Sequence, residues 1–270
     1  MTARLRSSDA AALLDIVAHG LSTDGNDSFP AAVLREVERL IPSDAFVGYQ
    51  EGDISSTFRI VELVEVVGEP VPPQIEDAYR ALGSQNPHRC RTNARQRRVL
   101  RLSDFASRRE LRRLEYYREV FQPLGIQDAL RLWLPAPDGR ARTVYFERSG
   151  RDYTDREKTL LELLRPHFIR IHRLRATRRR ARAALELTER EADVLALVRE
   201  GKTNREIGDT LFISPHTVRK HLQHVFEKLG VATRTAAAER LTTALHASVA
   251  DNLAPGPVGR PMSPRPTQTP

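Results

Sequence analysis

Cysteine is almost missing from this 270-residue chain: Cys90 stands alone, so no intrachain disulfide can form. That excludes a disulfide-stapled secreted scaffold and makes a reducing compartment, the cytoplasm, the expected location. Tryptophan is also single, Trp133, and aromatics are only 6% of residues. No apolar run approaches the roughly 18–20 residues that cross a bilayer. The N-terminal MTARLRSSDAA leads into an amphipathic stretch, not into the apolar block of a signal peptide, so no membrane partner is expected. Reaction motifs are missing as well. There is no nucleophile elbow, Walker loop, HExxH pair or Cys/His metal spacing. His88, His167 and His172 form no pattern, and His167 in LRPHF reads as a side chain packed on a sheet. No catalytic residue, metal or cofactor is assigned, and an enzyme in the N-terminal half is kept only as a rival reading.

Acidic residues are missing from one segment. Residues 163–185 hold eight arginines and no Asp or Glu: Arg165, Arg170, Arg173, Arg175, Arg178, Arg179, Arg180 and Arg182. Residues 186–248 hold nine side chains of each sign, so the net charge of +8 sits in that one short block. Such a block suits a polyanion, or else is a solvated helix face. Residues 249–270 have almost no large apolar side chains and carry six prolines, which predicts a disordered tail.

What is present divides the remainder. Residues 1–153 mix helical and strand periods: amphipathic stretches at 8–20 and 28–41, and strand runs at 44–50 and 57–67. A short helix near 74–82 and an Arg-rich helix over 106–120 follow, then strands at 127–134 and 141–148 joined through Asp138-Gly139 as a hairpin. The sum is an α+β domain on an antiparallel sheet with flanking helices. Thr154 and Glu157 have capping-box spacing and open a long helix, in which Pro166 predicts a kink or break. Its Leu161, Leu164, Phe168 and Ile171 form a seam, for docking on the sheet or for a partner helix. Residues 154–185 thus read as a basic helical linker.

Residues 186–248 punctuate themselves into four short helices. Thr188 with Glu191, and Thr203 with Glu206, are capping boxes; Ser214 precedes Pro215 at the first-turn position proline prefers; Gly201 and Gly230 are stops. In the third helix Val218, Leu222, Val225 and Leu229 recur at helical spacing and turn inward, toward Val194, Leu195, Val198 and Ile207. Arg219, Lys220 and Gln223 turn outward near its start. Those are the donors that read base edges in a major groove. Thr203, Asn204, Arg205, Ser214 and Thr217 lie where phosphate contacts would set the docking. The expected partner is double-stranded DNA. An interaction protein whose helix-turn-helix no longer meets DNA is the second rival.

The run LTEREADVLALVREGKTNREIGDTLFISPHTVRKHLQHVFEKLGVATR closely resembles the LuxR-type, or GerE-type, DNA-binding domain. The resemblance implies an all-α four-helix module whose third helix enters the major groove and whose fourth helps to form a homodimer. Gly208 departs from it, since that family usually carries alanine there; a small residue lets the helices cross closely. The first domain matches neither a phosphorylation receiver, which needs βαβ alternation, nor the Trp/Tyr/Asp-rich acyl-homoserine-lactone type. It is similar to a GAF-like sensor. That resemblance leaves open a small-molecule effector of unidentified class, and RNA polymerase as a further partner. A ligand would sit between sheet and helices, with Phe46, Phe58, Trp133, Tyr145 and Phe146 as the aromatic candidates against their ordinary role as core. Cys90 between Arg89 and Arg91 is a structural cysteine or a redox switch.

Overall fold

The helical period of the first 41 residues becomes α1 (Ser7–Ser22) and α2 (Ala31–Leu40), the latter burying Val33, Leu34 and Val37. The computed structural model describes residues 5–22, 27–53, 59–89, 99–136 and 140–253. Cys90, Phe58 and the expected Asp138-Gly139 turn lie outside the described residues.

β1 (Phe46–Asp53), β2 (Ile60–Val67), β3 (Val99–Arg101), β4 (Asp128–Leu134) and β5 (Arg140–Arg148) form one antiparallel sheet in the order β2-β1-β5-β4-β3. The fold class is therefore the expected α+β arrangement, followed by a helical C-terminal region. Period-2 alternation assigns each side chain a face. Val47, Tyr49, Leu130, Leu132, Val144 and Phe146 face a core closed by α1, α2 and the long helix α5 (Asp155–Ala184). Phe46, Ala129 and Tyr145 face a second core with Leu102, Leu111, Tyr116, Val120, Phe121, Ile126 and Ile75 of α3 (Pro73–Ala81). Each such fully buried large apolar side chain contributes roughly 1.5–3 kcal/mol.

The helix expected over 106–120 is broken. The chain makes α4 (Arg108–Leu111), capped by Ser107 and Glu110, and then a π-helical turn at Tyr117–Phe121. Leu111, Tyr116, Val120 and Phe121 all point into the second core. Their spacing of five, four and one does not fall on one stripe of an α-helix. The wider turn brings them together, and the Gln122 N–H donates to Tyr117 O, five residues back.

Pro166 does not interrupt α5, against expectation. Pro166 and Glu162 are both exposed, so the Glu162 carbonyl that loses its donor can turn to water. The capping box at Thr154 forms as the spacing predicts: the Thr154 N–H donates to Glu157 Oε2 at 2.7 Å, and Thr154 Oγ1 accepts from the Glu157 N–H. Leu161, Leu164, Phe168 and Ile171 all dock on the sheet core. The buried histidine of this helix is His172 rather than His167: it lies beside Tyr49, ring centroids 5.9 Å apart. Burial, with Arg142 and Arg179 nearby, pushes its pKa down to about 3, so it stays neutral near pH 7.

The basic block is not a free, solvated stretch. Arg175 is buried and donates to the Asp27 carbonyl at 2.7 Å, and Arg179 reaches Ser28 and Glu62. These contacts tie the second half of α5 to the turn before α2. Arg170 and Arg173 remain exposed and make no hydrogen bond or ion pair among the described residues.

The C-terminal helices are α6 (Glu189–Arg199), α7 (Asn204–Leu211), α8 (Pro215–Leu229) and α9 (Arg234–Leu253). The last of these also packs on α5. It runs four residues past 249, where the tail was expected to begin. Among the described residues no helix is long and apolar enough to cross a membrane.

Candidate nucleic-acid interface and cavity

The three expected helix starts form as spaced. Thr188, Thr203 and Ser214 each accept from the N–H three residues on, and Pro215 opens α8. The aliphatic side of α8 is buried: Val218 and Val225 are fully covered, with Leu222 and Leu229 beside them, against Val194, Leu195, Val198 and Ile207. Polar ties fix the module. Arg190 donates to Leu211 O at 2.6 Å, closing the end of α7, and Arg234 donates to Asn204 Oδ1 at 2.9 Å. Lys228 Nζ, on the last turn of α8, reaches Glu191 Oε2 at 2.7 Å.

Gly208 is in the crossing of α7 and α8. A Cβ there would lie 2.6 Å from the Ile213 carbonyl oxygen, so an alanine would push the turn apart. Phe212 in that turn is left-handed, with φ of 55°.

Against this buried side, Arg219, Lys220 and Gln223 are exposed and make no hydrogen bond or ion pair among the described residues. Spacings of three and four put them on one helix face. His216, His221 and His224 surround them, and His224 stands 3.9 Å from Glu191 at the far edge. The residues expected at phosphates divide. Arg205 is exposed without a partner among the described residues, and Asn204 is half-buried with its oxygen held by Arg234. The Thr203 hydroxyl is consumed by its capping box, donating to Glu206 and accepting from the Glu206 N–H, so no proton is left for a phosphate oxygen. Ser214 and Thr217 share one hydrogen bond at 2.8 Å, which leaves one hydroxyl proton of the pair to donate.

Glu191 carries a pH dependence. Burial pushes its carboxyl pKa up, but Lys228 and the Thr188 cap outweigh this and hold it below the usual range. A lowered folded pKa means stability that is complete above the unfolded value of about 4.3 and is lost as pH falls through the folded one. The thermal midpoint of the wild-type helical module is expected to fall on acidification below about pH 4.3, and Glu191→Gln should flatten that part of the curve. An unaltered acid slope in the variant would refute the assignment.

A second concavity lies on the other face of the sheet. A cavity of about 720 Å³ opens between β1, β2, β4 and β5 on one side and α3 with the 117–126 turn on the other. Of the five aromatic candidates, Phe46 and Tyr145 line it. Phe146 does not: one residue along β5 it faces the opposite way, into the core under α5. Trp133 is buried outside the lining, and Phe58 is outside the described residues. Residues unforeseen from the sequence complete the wall: Ile60, Leu63, Val71, Ile75, Tyr79, Val120, Phe121, Leu124 and Ile126, with Gln50, Arg59, Glu65, Glu76, Arg80, Arg131 and Glu147 as its polar part. Arg131 and Glu147 form a buried pair at 2.8 Å, and Tyr145 donates from its hydroxyl to Glu65. Glu65 stays accessible through the open cavity, yet protein on either side desolvates it and raises its pKa, with Glu147 adding to the rise and the Tyr145 hydrogen bond opposing it. The period-2 pattern around Tyr145 would have pointed to Glu147, but the α3 and 117–126 walls had no local signal.

Residues 185–241 match the family described as GerE: Bacterial regulatory proteins, luxR family. Among curated proteins, the chain is similar to the transcriptional regulatory protein LiaR of Bacillus subtilis, 46% identical over 68 residues, which are 25% of this chain and 32% of LiaR. It is also similar to the putative HTH-type transcriptional regulator y4qH of Sinorhizobium fredii, 31% identical over 129 residues, 46% of this chain and 39% of that one. The chain thus spans well under two thirds of either relative. Among solved structures, the LBD domain of VqsR from Pseudomonas aeruginosa aligns with a TM-score of 0.47 and 19% identity, over 63% of this chain and 97% of that one.

Proposed function

With residues 185–241 a luxR-family GerE module, we propose that the chain is a sequence-specific, DNA-binding transcriptional regulator and not an enzyme. The observation that carries this is the two-sidedness of α8: its aliphatic side is buried, and Arg219, Lys220 and Gln223 stand free on the other. In this reading α8 enters the major groove. Arg219 and Lys220 donate to guanine and Gln223 pairs with adenine, while Arg205, Asn204 and the Ser214–Thr217 pair meet phosphates. Thr203 contributes by holding the start of α7 in place. The protein works in the cytoplasm as a homodimer, and RNA polymerase is a further partner. Its working parts are a regulatory unit over residues 1–153, a helical connection over 154–185 and the reader over 186–248. The regulatory unit acts through a small-molecule effector in the cavity, whose size falls within the range of ligand pockets.

The test is selection of a duplex from a random library by the full chain, followed by a salt titration of the selected site. Log affinity is expected to fall linearly with log salt, and the site to contain two half-sites about 10 bp apart or a multiple of that. Recovery of no preferred site would refute the reading. In the same titration, the double variant Arg170→Ala, Arg173→Ala should leave base preference intact and shallow the salt slope, if α5 adds a sequence-independent contact.

A further inference from the structure

The cavity is apolar along most of its wall, and part of that wall is exposed: Ile60 and Leu63 are 41% and 47% accessible. A ligand that covers them also strips water from the polar side, so the charges there decide what it can be. The charged lining is three carboxylates, Glu65, Glu76 and Glu147, and three guanidiniums, Arg59, Arg80 and Arg131; Arg59 precedes Glu65 by six residues, roughly 20 Å along the strand, so it does not serve that carboxylate. Arg131 is spent on Glu147. Glu65 has the Tyr145 hydroxyl and no cation among the described residues. At the mouth, Arg80 is held by Glu76 at 2.8 Å and Asp77 at 2.7 Å.

We propose that this cavity binds an amphipathic organic cation, an ammonium group on an aliphatic or aromatic body, seated with its charge against Glu65. The proposal rests on the reading of residues 1–153 as an effector-binding unit. A carboxylate ligand seated there would set like charge against Glu65, whose partner is a neutral hydroxyl. A hydrocarbon would leave Glu65 dehydrated with one donor. An ammonium supplies the missing charge and up to three donors, for the second oxygens of Glu65 and Glu147, neither of which has a partner among the described residues. The rings of Phe46, Tyr79, Phe121 and Tyr145 also line the site, and aromatic faces attract a desolvated cation. The orientation of Glu65 is built into the sheet. Gly48 lies between Tyr145 and Glu65 in the register, and a Cβ there would stand 2.6 Å from the Tyr145 hydroxyl. Glycine alone lets that hydroxyl cross β1 to its carboxylate.

The experiment uses the full chain at pH 7 and three probes of one length: octylammonium, octanamide and octanoate. Calorimetric titration should give octylammonium the tightest binding, by tenfold or more over octanamide, with octanoate weaker still. Glu65→Gln should remove that tenfold preference while leaving octanamide affinity and the circular dichroism spectrum as in the wild type. Tightest binding of octanamide or octanoate, or a preference that survives Glu65→Gln, overturns the cation assignment and leaves an effector cavity. Binding of none of the three overturns the assignment and the effector reading together.

Discussion

Replacing Arg148 with alanine is expected to destabilise the N-terminal unit by about 3–5 kcal/mol, a large part of the roughly 5–15 kcal/mol of a typical domain. The guanidinium is buried, 3.8 Å above the Tyr153 ring, and all its donors are used. It meets both oxygens of Glu157 at 2.8 and 3.1 Å, and donates to the carbonyls of Arg151 at 2.9 Å, Asp152 at 2.6 Å and Pro42 at 3.3 Å. One side chain therefore joins the end of β5, the start of α5 and the turn after α2. Alanine would leave the Glu157 carboxylate buried, with Arg151 as its remaining cation, and that Arg151 side chain is 64% exposed. Burial pushes the Glu157 carboxyl up and Arg148 together with the Thr154 cap brings it below the usual range, so removing Arg148 lets burial win. Urea unfolding followed by the fluorescence of the single Trp133, which lies on β4, reads this unit alone. Arg148→Lys should recover only part of the loss, because an ammonium cannot make the two-pronged contact. Replacing both partners, as Arg148→Met with Glu157→Leu, should cost less than the single alanine. A loss under about 1 kcal/mol in Arg148→Ala would show that the network is not needed.

Arg219→Ala is expected to weaken binding to the selected duplex by about 1–3 kcal/mol, roughly 5- to 150-fold, and to relax the preference at one base position. The effect should be on binding only. Arg219 is exposed and makes no hydrogen bond or ion pair among the described residues, so its loss leaves the fold nothing to repair and the thermal midpoint should hold. Its distinguishing signature is specificity. Losing a phosphate contact weakens all sequences alike and reduces the salt slope by about one, as proposed for Arg170 and Arg173, whereas losing a base contact changes which sequence is preferred. Gln223→Ala should relax a different position, by way of adenine. Affinity and base preference both unchanged in Arg219→Ala would mean that α8 does not read DNA through this face.

How much was legible follows from how far apart the interacting groups lie in the chain. The helix starts at Thr154, Thr188, Thr203 and Ser214 are made by hydrogen bonds across three residues, so spacing alone determined them. The two faces of α8 follow from a period of 3.6 for the same reason. Alternation likewise implied that Tyr145 and Phe146 part company, but which of the two meets a cavity depends on what covers each face of the sheet.

The sequence by itself determined most of the local elements, the α+β and all-α classes and the side of α8 turned to solvent, because each is decided by groups within about one helical turn or one strand. Tertiary structure alone decided the rest. It placed β5 between β1 and β4, and so set Tyr145 across Gly48 from Glu65. It spent Arg175 on a carbonyl 148 residues away and left Arg170 and Arg173 outside. It broke the Arg-rich helix at residues 117–121 to bring four apolar side chains into one core. In each case the deciding partner is distant in sequence, and only the folded chain brings it within reach.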